Sequence, residues 1–333
     1  MKKLCFKIIN GILVFLVSAF VLSFLCFVPS CSSNSGSAAN ADLSDILKTY
    51  RDNGMTSWWE IAAVYNAGGN PLDSGAYKGF DEILASLEGT SNIKMASYVI
   101  AADIAVVIIN ADEGYFEKYG EYKSKLKDLL ENPSEDINLN DYIFAYYALK
   151  CSGTPFDPSE FYIYLESVQK SDGGFALSGD KGDVDMTAFV IQALKLYYKA
   201  NPPGDDVDLD KSMLINAVKF LESKIKPNGV FTSSFNNQED ENANSTAVAL
   251  SALISYYGDD ESSDSNSNGI IKKASDGLAL FRVKNEAGYM YLKGGKTDAL
   301  ATAQAAISLG DLKNKKSVWE SLYDESLEVF EGQ

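Results

Sequence analysis

Polar and apolar segments alternate along this chain in pairs, each pair long enough for a helical hairpin. Asp42 to Asp52 leads into TSWWEIAAVYNAGG at 56–69, where Thr56 or Ser57 can cap a helix that Gly68-Gly69 ends. Gly79 to Leu87 precedes Ile93 to Ile109, whose near-continuous hydrophobicity predicts a helix buried all round. Tyr115 to Glu131, rich in Lys and Glu, reads as an outer helix, and Asn140 to Lys150 as its inner partner. Asp157 to Gln169 pairs with Asp185 to Tyr198, Asp210 to Lys224 with Asn244 to Tyr257, and Gly269 to Phe281 with Thr297 to Leu309. In the fourth inner helix Met186, Val190, Ala193, Leu194 and Tyr197 share one face. Lys313 to Phe330 reads as a closing helix, while NPPGDDVD and GDDESSDSNSNG carry the residues of surface loops.

The last three pairs repeat. A Gly-bearing turn followed by an aromatic recurs at Asp172-Gly173-Gly174-Phe175, Asn228-Gly229-Val230-Phe231 and Glu286-Ala287-Gly288-Tyr289. The helices after these turns open with Thr-Ala at Thr187, Thr246 and Thr302, each with Leu seven residues on. Two of them also share a Tyr-Tyr pair at one offset, Tyr197-Tyr198 and Tyr256-Tyr257. A repeat of this length predicts stacked helical hairpins.

QKSDGGF and DVDMTAFVIQAL resemble the prenyltransferase and squalene-oxidase-type repeat of terpenoid cyclases and protein prenyltransferases. The later copies resemble it more weakly. The likeness runs from about Ser57 to Leu312 and implies an all-α fold, an α/α toroid of six helical hairpins in a closed barrel. Within that superfamily DVDMTAFVIQAL looks most like bacterial surface proteins of unassigned role. Such a likeness speaks to fold and little to activity.

The N-terminus sets the compartment. Lys2, Lys3 and Lys7 precede an apolar run from Ile8 to Val28, so residues 1–30 read as a signal peptide. Val28-Pro29-Ser30-Cys31 resembles a bacterial lipobox, in which Cys31 would carry the lipid; Pro29 departs from the usual small residue. The competing reading is an uncleaved anchor, since the run approaches the ~20 residues of a membrane helix. Either way the rest is expected to be extracytoplasmic and anchored to the cell membrane. Residues 31–41 read as a flexible tether and 42–333 as the folded domain, with no second-domain boundary. Cys5 and Cys26 lie in the signal and Cys31 at the expected lipid site, which leaves Cys151 alone in the folded part, so an intramolecular disulfide framework is excluded. Acidic residues number 46 against 29 basic ones, a net charge of −17. Nucleic acid is therefore excluded as a partner, because it needs clustered cations.

Chemistry is bounded first by the complete absence of histidine. Catalysis of the Ser-His-Asp and Cys-His kinds is excluded, as are the His-containing zinc sites of the prenyltransferases and of lanthionine cyclases. Asp183-Val184-Asp185-Met186-Thr187-Ala188 is similar to the D-x-D-D-T-A of squalene-hopene-type cyclases, which implies Asp185 as a proton donor with Asp183 beside it. Met186 stands where that motif has its last Asp. The plainer reading makes Asp185 a helix cap. A glycosidase needs only two carboxyl groups ~5–9.5 Å apart, and Asp141, Asp183, Asp185, Glu239, Glu241 and Asp298 lie near predicted inner-helix starts. No cofactor is expected, with calcium the one weak candidate, at 180–185 and 238–242.

Loops at one end of a toroid converge on its mouth. That places Trp58, Trp59, Asp141, Tyr142, Asp183, Asp185 and Asp298 at a ligand-binding rim, with Gln192 and Gln304 as further candidates. Alternatively one of the two tryptophans plugs the core while the other covers it. The combined expectation is a membrane-tethered surface lipoprotein that binds a small molecule, glycan or protein without catalysis. Its alternatives are a carboxylate-dependent enzyme, either a glycan-cleaving barrel or a diverged terpenoid cyclase, and a structural scaffold.

Overall fold

Thirteen helices and one short ribbon are found among the described residues of the structure, a computed structural model that describes residues 34–109, 116–134, 137–202, 211–235, 238–258 and 265–331. In chain order they are α1 (Asn34–Asn53), α2 (Trp58–Asn66), α3 (Phe80–Ser86), α4 (Asn92–Ile109), α5 (Tyr119–Glu131), α6 (Leu139–Cys151) and α7 (Ser159–Val168). There follow α8 (Val184–Ala200), α9 (Ser212–Lys224), β1 (Thr232–Phe235), β2 (Gln238–Glu241), α10 (Ala243–Tyr257), α11 (Ser265–Ala279), α12 (Ala299–Asn314) and α13 (Val318–Glu331).

The apolar helices form the inner wall. α2, α4, α6, α8, α10 and α12 each pack on the next, and α12 closes back on α2. The polar partners lie outside: α5 buries one stripe, including Tyr119, Tyr122, Lys123, Leu126 and Leu130, and leaves Glu121 and Lys125 to water. Helix α4 is long and apolar enough to cross a membrane, but here it is an inner-wall helix with its middle sealed. Six outer-inner hairpins around a ring make this an α/α toroid. Residues 38–333 form one compact unit.

The internal repeat has a physical cause. In each copy the backbone N–H of the turn aromatic donates to the hydroxyl of the helix threonine: Phe175 to Thr187 at 2.8 Å, Phe231 to Thr246 at 3.0 Å and Tyr289 to Thr302 at 2.9 Å. The N-cap residue, four positions before that threonine, returns its own N–H to the same aromatic's carbonyl, as Asp183 does to Phe175 at 2.8 Å and Asp298 to Tyr289 at 2.8 Å. Its side chain caps the helix: Asp183 accepts from Met186, Asn242 from Ser245 and Asp298 from Ala301, each at 2.8 Å. This clasp fixes a buried aromatic to the start of each inner helix. Glycine is needed in two of the turns because they press on the next outer helix. Gly173 (φ +86°) and Gly229 (φ +83°) are left-handed, and a Cβ there would meet the Asn216 carbonyl oxygen at 2.7 Å and that of Lys273 at 1.9 Å.

Two expectations change, and one element is new. Helix α1 begins at Asn34, inside the stretch expected as a tether; Ala38, Ala39 and Ala41 are strong helix formers that let it extend. The closing helix does not start at Lys313. α12 runs on to Asn314, Lys315 takes a left-handed turn (φ 58°), and Ser317 starts α13 with a capping box to Glu320. The β1–β2 ribbon, paired Thr232 to Glu241 through Phe235 to Gln238, has no counterpart in the sequence reading, because it is short and polar and shows no alternation. Signal, lipidation site and Cys31 lie outside the described residues.

Candidate active site at the toroid mouth

Aromatic rings fill the centre of the ring. Trp319, from α13, stacks on Tyr147 of α6 at 4.6 Å and stands 6.3 Å from both Trp58 and Phe144. Helix α13 touches α2, α4, α6, α8 and α12, so the end of the toroid where the inner helices finish is plugged. At the other end Trp58 and Trp59 stack at 4.1 Å, and Trp59 meets Phe144 at 5.8 Å and Phe189 at 6.4 Å. Phe144 and Phe189 are 5.2 Å apart. Trp58 is buried in the core and Trp59 is half-buried above it. Trp59, Phe144 and Phe189 thus make a hydrophobic floor beneath the mouth.

Two carboxylates stand over that floor. Asp185 precedes Phe189 by four residues on α8 and Asp141 precedes Phe144 by three on α6, so each acid lies one turn above its phenylalanine on the same face. Asp185 borders on Ser245 of α10, and Asp141 on Asn92 of α4. Asp185 reaches solvent with its edge, but Oδ1 is sealed and has no hydrogen-bond partner. Burial raises its carboxyl to about 6; the Ser245 hydroxyl opposes that shift and the Asp183 charge adds to it. The Asp141 carboxyl is raised too, by burial, against the opposing hydrogen bond from Asn92.

The structure corrects the roles expected of several residues. Asp183, not Asp185, is the cap: its backbone is extended and Oδ1 accepts from Met186, while Asp185 sits inside the first turn. Asp298 is likewise a cap. Tyr142 is buried facing outward, donating to the Leu130 carbonyl at 3.0 Å and packing on Phe161 and Tyr164, so it is no rim residue. Gln192 is buried and bonded to Ala188 of its own helix. Gln304 is buried with Oε1 unpartnered. Glu241 pairs with Lys293 at 2.7 Å, and the hydrogen bond from that lysine holds its carboxyl below the usual range, which disqualifies it as an acid. Glu239 stands opposite Ser234 in the ribbon. No group of three metal-ligating acids or thiols converges among the described residues, so the calcium candidates find no such cluster.

Sequence reasoning missed Phe144, Phe189, Asn244 and Ser245. The repeat held the signal for one of them: Asn244 occupies in α10 the place of Asp185 in α8, two residues after the cap, and its Oδ1 is also buried without a partner. Buried acceptors left open in neighbouring repeats are where water or a ligand donor is expected.

No family model and no curated protein matches this chain. Solved structures do. An unsaturated glucuronyl hydrolase from Bacillus sp. GL1, described as responsible for glycosaminoglycan degradation, is similar over 86% of this chain and 98% of its own, with 12% identity and a TM-score of 0.57. A possible member of the GH105 family from Salmonella enterica covers 90% of this chain and 97% of its own, with 9% identity and a TM-score of 0.59. A variant unsaturated glucuronyl hydrolase from Streptococcus agalactiae, complexed with dGlcA-GalNAc6S, covers 86% and 94%, with 12% identity and a TM-score of 0.57. At such identities the likeness shows the fold, and the class it defines is that of the α/α toroids.

These neighbours correct two expectations. The toroid class is the one anticipated, but the similar structures are glycan-cleaving enzymes, not terpenoid cyclases or prenyltransferases. The reading as a non-catalytic binder, which rested on the absent histidine, the absent zinc ligands and the altered cyclase motif, is corrected by the same finding.

Proposed function

We propose that this chain is a glycan-processing enzyme whose proton donor is Asp185. The observation that carries this reading is the Asp185 carboxyl itself: unpartnered at Oδ1, raised to about 6, and one turn above an aromatic floor at the end of the toroid away from α13. An acid with that value keeps a useful protonated fraction near neutral pH and can give its proton to a glycosidic oxygen or to an unsaturated sugar. Asp141, also raised, is the second carboxylate that such hydrolysis requires. Trp59, half-buried over Phe189, offers flat apolar surface to the C–H face of a sugar ring. That glucuronyl hydrolases share the fold supports glycan as the substrate class, and an oligosaccharide ending in an unsaturated uronyl residue is the first substrate to test.

The test is turnover by the full chain and by Asp185→Asn on such oligosaccharides. Loss of roughly 100-fold or more in kcat, the scale of a general acid, with a little-changed melting temperature is the expected result. Undiminished turnover by Asp185→Asn would end the assignment. We also propose that the enzyme works outside the cytoplasm, held at the membrane through lipid on Cys31.

A further inference from the structure

The Tyr-Tyr pairs shared by two repeats take no part in the mouth. They lie at the ends of α8 and α10, at the opposite face of the ring, where a cavity of about 520 Å³ opens between Lys195, Tyr198, Lys199, Lys211, Tyr256 and Tyr257. That volume is within the ~300–1,000 Å³ of small-molecule sites. Leu214 and Glu320 complete the lining.

Charge decides what would enter. Three lysines face one cavity in a protein of net charge −17. Lys199 shares Asp324 with Lys316, at 2.7 and 2.9 Å. Glu320 is already occupied: its Oε2 accepts from Ser255 Oγ at 2.7 Å and from Ser317 N and Oγ at 3.1 and 2.7 Å. Lys195 and Lys211 have no carboxylate within ion-pair distance among the described residues, and Lys211 lies over the Tyr198 ring at 5.8 Å. The segment 203–210 that leads into Lys211 is outside the described residues and forms no part of the site. Tyr256 and Tyr257 stand edge to face at 4.7 Å and 81°, both half-buried, so one shows a ring face where the other shows an edge. The Tyr257 hydroxyl is committed to Glu222 at 2.5 Å, which holds that ring in place.

We propose that this cavity is a second, non-catalytic site for an acidic saccharide, its carboxylate or sulfate set between Lys195 and Lys211 and its sugar ring against Tyr256 and Tyr198. Cations with no carboxylate partner among the described residues call for an anion, and crossed aromatic rings offer the apolar face that a sugar ring needs. The site is separate from the mouth and does not depend on the role of Asp185.

The experiment is calorimetric titration of the full-length Asp185→Asn protein with a galacturonate trisaccharide, a sulfated disaccharide and, as neutral control, maltotriose. A carboxylate-specific or a sulfate-specific response tells which anion the site takes. Adding Lys195→Glu and Lys211→Glu, both at solvent-reaching positions, is expected to weaken one binding event at least tenfold without lowering the melting temperature. Quenching of tyrosine emission by the acidic sugars, lost in Tyr256→Leu, is the second readout. Binding that is unchanged by both charge reversals, binding of maltotriose equal to that of the acidic sugars, or no binding of either acidic sugar would each overturn the proposal. If the mouth takes no sugar, one event remains and still vanishes with the lysines; if only the mouth binds, that event ignores them.

Discussion

Asp185 and Asp311 are acids that burial has made weak, and their pH signatures differ. If Asp185 is the proton donor proposed above, it must be protonated to act, so activity is expected to fall about tenfold per pH unit above about 6, the value to which burial raises it. A pH–rate profile checks this; an alkaline limb that persists in a residually active Asp185→Asn would assign the acid elsewhere. Asp311, on α12, is sealed between Asn66, Ser251 and Glu320, and burial raises it to about 8. Its folded value lies above its unfolded one, so its contribution to stability is fully present below about pH 4 and is lost as pH climbs to about 8. The slope is at most ~1.4 kcal/mol per pH unit. Urea titrations should therefore show Asp311→Asn flattening the decline between these pH values and gaining on wild type at pH 8.

At the scale of the element, the clasp between turn and helix start predicts which substitutions the repeat tolerates. Thr246→Val keeps the shape of the side chain but leaves the buried Phe231 N–H without its acceptor, at a cost of about 1–3 kcal/mol. Gly229→Ala forces a Cβ onto the Lys273 carbonyl oxygen at a left-handed position, which is expected to cost more than that. Denaturant midpoints of the two variants check both the size and the order. The Thr-Ala signature and the turn glycines were legible because each satisfies a local need that recurs with the repeat. The boundaries at Asn34, Lys315 and the β1–β2 ribbon were not, since each depends on capping or pairing that apolar periodicity does not encode.

For the whole molecule, two tests separate anchoring from catalysis. If lipid on Cys31 holds the protein at the membrane, Cys31→Ala should move it from the membrane fraction to the soluble one without changing the specific activity of the toroid. Retention of the variant in the membrane would favour the uncleaved anchor instead. The helical hairpins, their number and their inner-outer order were readable from the chain alone, because burial on one face of a helix leaves a period of 3.6 in the sequence. Export was an expectation of the same kind, resting on a local apolar run. Which of Asp141, Asp183, Asp185 and Asp298 could serve as an acid was not readable: in sequence all four are aspartates near helix starts. Only the packed ring tells them apart, since it spends Asp183 and Asp298 as caps and sets Asp185 against α10 and above Phe189, where desolvation raises its carboxyl to about 6. A residue's partners along the helix are written in its neighbours, but the dielectric around its side chain is made by segments that meet it only when the ring closes.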